Sequence, residues 1–104
     1  MILYGLKTCD TCRKARKALT QAEFRDVRED GVPTETLQKA FEQFAGKLLN
    51  TRSTTWRNLS DEERNGEVLE LLAAHPTLMK RPLILDGDQM YLGWDKATQA
   101  VFDA

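Results

Sequence analysis

The chain carries 104 residues, 41% apolar and 30% charged, and its 15 basic and 16 acidic side chains leave a formal charge of −1. Those totals suit one domain of common size with an ordinary core and a charged surface. Near-balanced charge argues against a domain built mainly to hold nucleic acid or anionic membrane, and no apolar run approaches the roughly 18 residues that span a bilayer.

In chain order, Ile2, Leu3 and Tyr4 form a short apolar strand stopped by Gly5. The same stretch lacks the charged start and long apolar run of a secretion signal, so a cytoplasmic location is the expectation. A helix is predicted from about Asp10 to Ala22. There Cys12, Ala15, Ala18, Leu19 and Ala22 recur at helical spacing, while Arg13, Lys14, Arg16 and Lys17 fall elsewhere on the wheel. Phe24 to Arg28 reads as a second strand, and strand–helix–strand order favours parallel pairing. Gly31 and Pro33 break the chain, after which Thr34 is predicted to cap a helix with Leu37, Ala40, Phe41 and Phe44 on one face.

Leu48 to Leu59 is less regular, with room for a short turn of helix. Ser60 and Glu63 have the spacing of a capping box and open a helical region through Val68, Leu69, Leu71 and Leu72, divided by Gly66. His75-Pro76 ends it, because the residue before proline avoids the helical conformation. Leu83-Ile84-Leu85 and Gln89 to Leu92 read as a hairpin turned by Asp86-Gly87-Asp88, and Asp95 is placed to cap a last helix. The order is β-α-β, a helical stretch at about 33–76, then β-β-α. With no internal repeat or linker, this is one α/β domain over 1–104, thioredoxin-like in element order, with a helical insertion between its halves.

The chemistry concentrates in Lys7-Thr8-Cys9-Asp10-Thr11-Cys12, between the first strand and its helix. Amides at a helix start are unpaired and the macrodipole is positive there, which favours a thiolate at Cys9, with Lys7 and Arg13 adding to the field. Cys12 lies three residues on, near enough to close a small disulfide, and its place on the apolar stripe makes it the less exposed partner. Cys9 is then the attacking sulfur and Cys12 the resolving one. A small buried apolar side chain is the other reading of Cys12. Two cysteines and one histidine, His75, fall short of the four ligands of a structural zinc site, so no metal is expected. Thr8 and Thr11 offer hydroxyls to the sulfur or to a substrate.

Three strings carry a wider likeness: Leu3-Tyr4-Gly5-Leu6-Lys7-Thr8-Cys9-Asp10-Thr11, then Leu48-Leu49-Asn50-Thr51-Arg52-Ser53-Thr54-Thr55-Trp56-Arg57-Asn58-Leu59, then Met79-Lys80-Arg81-Pro82-Leu83. In order and spacing the chain resembles the ArsC/Spx/YffB family of arsenate-reductase-like thioredoxin folds, over essentially its whole length. It is most similar to the YffB type, proposed to act as glutathione-dependent thiol reductases. The resemblance implies Cys9 as nucleophile, Arg52 and Arg81 as oxyanion-binding arginines, and Pro82 as a cis-proline set against the active cysteine. It implies no bound cofactor, with glutathione as co-substrate or a thioredoxin-type protein as reductant.

Two departures bear on the substrate. Arsenate reductases carry a third arginine shortly after the last strand, where this chain has Leu92-Gly93-Trp94-Asp95. YffB-type proteins commonly lack a second cysteine, and in having Cys12 this chain is similar to Spx, a redox-controlled regulator that binds the RNA polymerase α-subunit. Taken alone, Arg52 and Arg81 read as solvated charges. Their planar, permanently charged forks also suit oxyanions and the carboxylates of glutathione, and Arg52 stands among the hydroxyls of Thr51, Ser53, Thr54 and Thr55. The expectation is a thiol-based oxidoreductase acting on a disulfide or an arsenate-type oxyanion. A redox-switched regulator is the alternative.

Overall fold

Strand β1, Ile2–Gly5, sits inside a four-stranded sheet of order β2-β1-β3-β4. The computed structural model describes residues 1–104. β2, Glu23–Asp26, runs parallel to β1; β3, Leu83–Asp86, is antiparallel to β1, and β4, Gln89–Leu92, is antiparallel to β3. Alternation along the strands puts Leu3, Phe24, Ile84 and Tyr91 in one cross-strand row. That row packs with Ala15 and Leu19 of the α1 segment and with Trp94 and Phe102. Leu3, Leu19 and Ile84 are at most 3% exposed, and each contributes about 1.5–3 kcal/mol by leaving water. Gly87 turns the hairpin with φ +61°, a conformation glycine adopts without strain. Helix α7, Lys96–Val101, is capped by Asp95, whose Oδ1 accepts the Thr98 N–H at 2.9 Å.

Two expected boundaries are corrected. Helix α1 spans Asp10–Ala18 and stops four residues short of Ala22. Leu19 and Ala22 still reach the core, because the Ala22 N–H closes a turn onto the Leu19 carbonyl at 3.0 Å and preserves the three-residue spacing. β2 ends at Asp26 rather than continuing to Arg28. The Asp26 carboxylate accepts the N–H groups of Arg28 and Glu29 at 2.8 and 3.3 Å and so starts a one-turn helix, α2, Val27–Asp30.

These strands and helices form one compact unit, Met1–Asp30 with Arg81–Ala104, and Gly31–Lys80 forms a second. The second unit is helical: α3, Thr34–Phe44; α4, Thr54–Arg57; α5, Asp61–Arg64; and α6, Val68–Ala74. Short 3₁₀ turns follow α3 and α6. Thr34 is the first helical residue rather than the cap; Pro33 takes the capping position without a side-chain bond, its carbonyl receiving the Leu37 N–H at 3.0 Å. The Ser60–Glu63 capping box forms in both directions, at 3.1 Å each. Within this unit α3 packs on α6, and Arg64 ties α5 to α4 by donating to the carbonyls of Trp56 and Arg57 at 3.1 and 3.0 Å. No helix of the chain is long and apolar enough to cross a membrane.

Candidate active site at the start of helix α1

β1 delivers the chain to Gly5, and a short loop, Leu6 to Thr8, leads to Cys9 at the capping position of α1. The Cys9 N–H donates to the Leu6 carbonyl at 3.2 Å, and the Cys9 carbonyl accepts the Arg13 N–H at 3.0 Å as the first helical bond. Its extended backbone, φ −86° and ψ 121°, is that of an ordinary cap residue. Both cysteines are free thiols; Cys9 is half-buried and Cys12 is fully buried.

The two sulfurs differ in chemistry because their surroundings differ. Partial burial is the strongest single influence on Cys9 and opposes ionisation. The Cys12 amide, the Cys12 thiol, and the charge and hydrogen bond of Arg81 together outweigh it, and the Cys9 thiol is held below its ordinary value. Burial dominates Cys12 and pushes it up to about 11; the Leu6 amide and Arg81 work against this, and its hydrogen bond with Cys9 works with it. The pair therefore differs in acidity, Cys9 being the more readily ionised and Cys12 the less.

Arg81 reaches this pair from the strand side of the unit. It is half-buried, precedes the fully buried Pro82, and the Arg81–Pro82 bond is cis. The Gly93 N–H holds the Pro82 carbonyl at 2.8 Å. Lys7 and Arg13 have partners of their own: Lys7 Nζ pairs with Glu29 of α2 at 3.1 Å, and Arg13 Nε of α1 donates to the Lys7 carbonyl at 3.1 Å. Arg13 also lies 3.5 Å from Asp10. Thr8 and Thr11 are exposed.

Arg52 belongs to the helical unit and is exposed, with its backbone N–H donating to Asn50 Oδ1 at 3.1 Å. Two of the hydroxyls around it have internal tasks. Ser53 Oγ donates to the Asn50 carbonyl and accepts the Trp56 N–H, at 3.0 and 3.2 Å, while Thr55 Oγ1 bonds Thr77 Oγ1 at 3.0 Å. No group of three or more His, Cys, Asp or Glu side chains is placed to hold a metal ion.

Asp26 was not legible as part of the site. Its Oδ2 accepts the Lys7 N–H at 3.0 Å, across from β2 to the loop that carries Cys9. An aspartate in a strand-like run is an ordinary surface residue by sequence, and only a break in the apolar pattern at that position signals it.

The four-stranded sheet and its element order are those of a thioredoxin-like fold, with Cys9 at the start of its first helix. Residues 4–102 match the ArsC family, and the chain belongs to that family. It is 41% identical to an uncharacterized protein of Haemophilus influenzae, covering 96% of each chain. It is 30% identical to the global transcriptional regulator Spx of Streptococcus agalactiae, covering 90% of this chain and 76% of that one. Among solved structures, the YFFB protein superposes with a TM-score of 0.85 at 30% identity, over 99% of this chain and 98% of the other.

Proposed function

We propose that the protein is a thiol-dependent reductase in which the Cys9 thiolate attacks a sulfur of a disulfide, with glutathione mixed disulfides as the favoured substrate class. A new sulfur–sulfur bond forms at Cys9, and the other half of the substrate leaves as a thiolate stabilised by positive charge nearby. Cys12 then loses its proton, attacks the Cys9 sulfur and releases the second half as a thiol. The Cys9–Cys12 disulfide so formed has given two electrons to the substrate. Glutathione or a thioredoxin-type dithiol returns them. Such a cycle suits a reducing compartment, and the cytoplasm is where we place it.

The observation that carries this reading is the placement of two free thiols at one helix start, Cys9 partly exposed at the cap and Cys12 fully buried, with surroundings that tune them in opposite directions beside Arg81. A low-pKa, partly exposed cysteine suits attack, and a buried high-pKa neighbour suits resolution within the protein. Arg81, whose charge acts on Cys9, is the residue we propose to hold the anionic part of the substrate. Arg52 has the same role on the family resemblance alone, and Lys7, Thr8, Thr11 and Arg13 are candidate contacts around the loop. Arsenate is the weaker substrate reading, because Leu92 to Asp95 supplies no third arginine.

A panel of glutathione mixed disulfides, small disulfides and arsenate, with glutathione or thioredoxin as reductant, tests the proposal. Turnover in the intact protein and its loss in Cys9→Ser is the expected result. An inert intact protein, or one that keeps its rate in Cys9→Ser, rejects it.

A regulatory reading has one specific observation in its favour: the second cysteine, together with similarity to Spx. In that reading the Cys9–Cys12 pair is a redox switch and the partner is the RNA polymerase α-subunit. Capture of that subunit that depends on oxidation state, without turnover, would favour it.

A further inference from the structure

Asp26 is the buried charge for which the proposed reaction has no use. It is 7% exposed, ends β2, and lies in register with Gly5 of β1. Three amide N–H groups converge on it: Lys7 on Oδ2 at 3.0 Å, and Arg28 and Glu29 on Oδ1 at 2.8 and 3.3 Å. Two of those bonds start α2 and would explain a local cap. The third goes to the loop ahead of Cys9, where a cap has no need of it.

The Lys7 N–H and the Leu6 carbonyl belong to one peptide unit, which is planar and stiff. The carbonyl edge of that unit receives the Cys9 N–H at 3.2 Å. Holding the N–H edge therefore orients the edge that anchors Cys9. The next carbonyl, that of Lys7, accepts Arg13 Nε, and the Lys7 side chain pairs with Glu29, so the loop is held from both sides. Three donors require a group that only accepts. Asparagine in this place would set at least one N–H against another, whichever way its amide turned.

We infer that Asp26 is a positioning residue for Cys9, its carboxylate fixing the Leu6–Lys7 peptide and thereby the place of the Cys9 sulfur beside the Cys12 amide and Arg81. The inference rests on the reading of Cys9 as a reactive thiolate. Charge alone predicts the opposite sign from positioning: deleting a negative side chain eases ionisation of a neighbouring thiol, whereas loosening the loop takes the sulfur away from its stabilising donors.

The test is alkylation of Cys9 by iodoacetamide across pH, read by mass spectrometry on the intact chain and on Asp26→Asn, with a thermal melt of each. An intact-protein midpoint at or above that of a free thiol would remove the reading of Cys9 itself. Given a lowered midpoint, the folded variant is predicted to titrate higher by about half a pH unit or more. An unchanged or lower midpoint overturns the inference. Where Asp26→Asn melts below the assay temperature, Asp26→Glu carries the test, since it keeps the charge while its added methylene displaces the acceptor from the Lys7 N–H. A rise is predicted there too, and an unchanged midpoint overturns it.

Discussion

A methyl group at Gly5 would lie 2.7 Å from the Cys12 sulfur and 3.1 Å from the Cys12 β-carbon. The end of β1 thus owes its glycine to the buried cysteine. Side-chain rotation cannot relieve both contacts, because the β-carbon is fixed by the first turn of α1. Gly5→Ala is predicted to push that turn away from the sheet and to cost about 1–3 kcal/mol, as overpacking does. Chemical denaturation measures it, and an unchanged midpoint contradicts the contact.

Accessibility should separate the cysteines. Cys12 is 0% exposed, so alkylation of the folded protein at neutral pH is expected at Cys9 alone, with Cys12 modified only after unfolding. Mass spectrometry of peptides from native and denatured labelling distinguishes the two sites. Equal labelling of both in the folded state would contradict the burial of Cys12.

Arg81 lowers the Cys9 thiol through its charge and a hydrogen bond. Arg81→Ala is predicted to raise the alkylation midpoint of Cys9 by about half a pH unit, and Arg81→Lys by less, since charge is kept and the fork is lost. A rise in Arg81→Lys as large as in Arg81→Ala would mean that geometry alone matters.

Acid should weaken the fold through Asp26. Burial opposes its ionisation, but the amides of Lys7, Arg28 and Glu29 outweigh this and hold its carboxyl below the ordinary range. A lowered folded-state pKa stabilises above the unfolded value of about 3.9, and the gain disappears as pH falls through the folded value. Stability is therefore predicted to fall with acid below about pH 4. In Asp26→Asn the part of that slope owed to this carboxylate is absent, as urea melts across that range would show.

The strand and helix order was legible because periodicity and caps are local: Ser60 with Glu63, and Asp95 with Thr98, each act over three residues. The end of α1 was not, since a turn closed by Leu19 and Ala22 presents the same spacing as a helix. Around Cys9, the Cys9–Cys12 spacing and the string that carries Arg81 were readable, the arginine by family likeness. Asp26 was hidden because its bond to Lys7 spans 19 positions and depends on the parallel register of β1 and β2. The tasks of Ser53 and Thr55 were hidden likewise, as a hydroxyl's partner is set by folded neighbours.

Ultraviolet titration of thiolate absorbance in the reduced, intact protein tests the central claim most directly. Two steps are predicted: one below the free-thiol value of about 8.5, assigned to Cys9 by labelling, and one near the value of about 11 to which Cys12 is pushed. A single step for both sulfurs at or above the free-thiol value would contradict it.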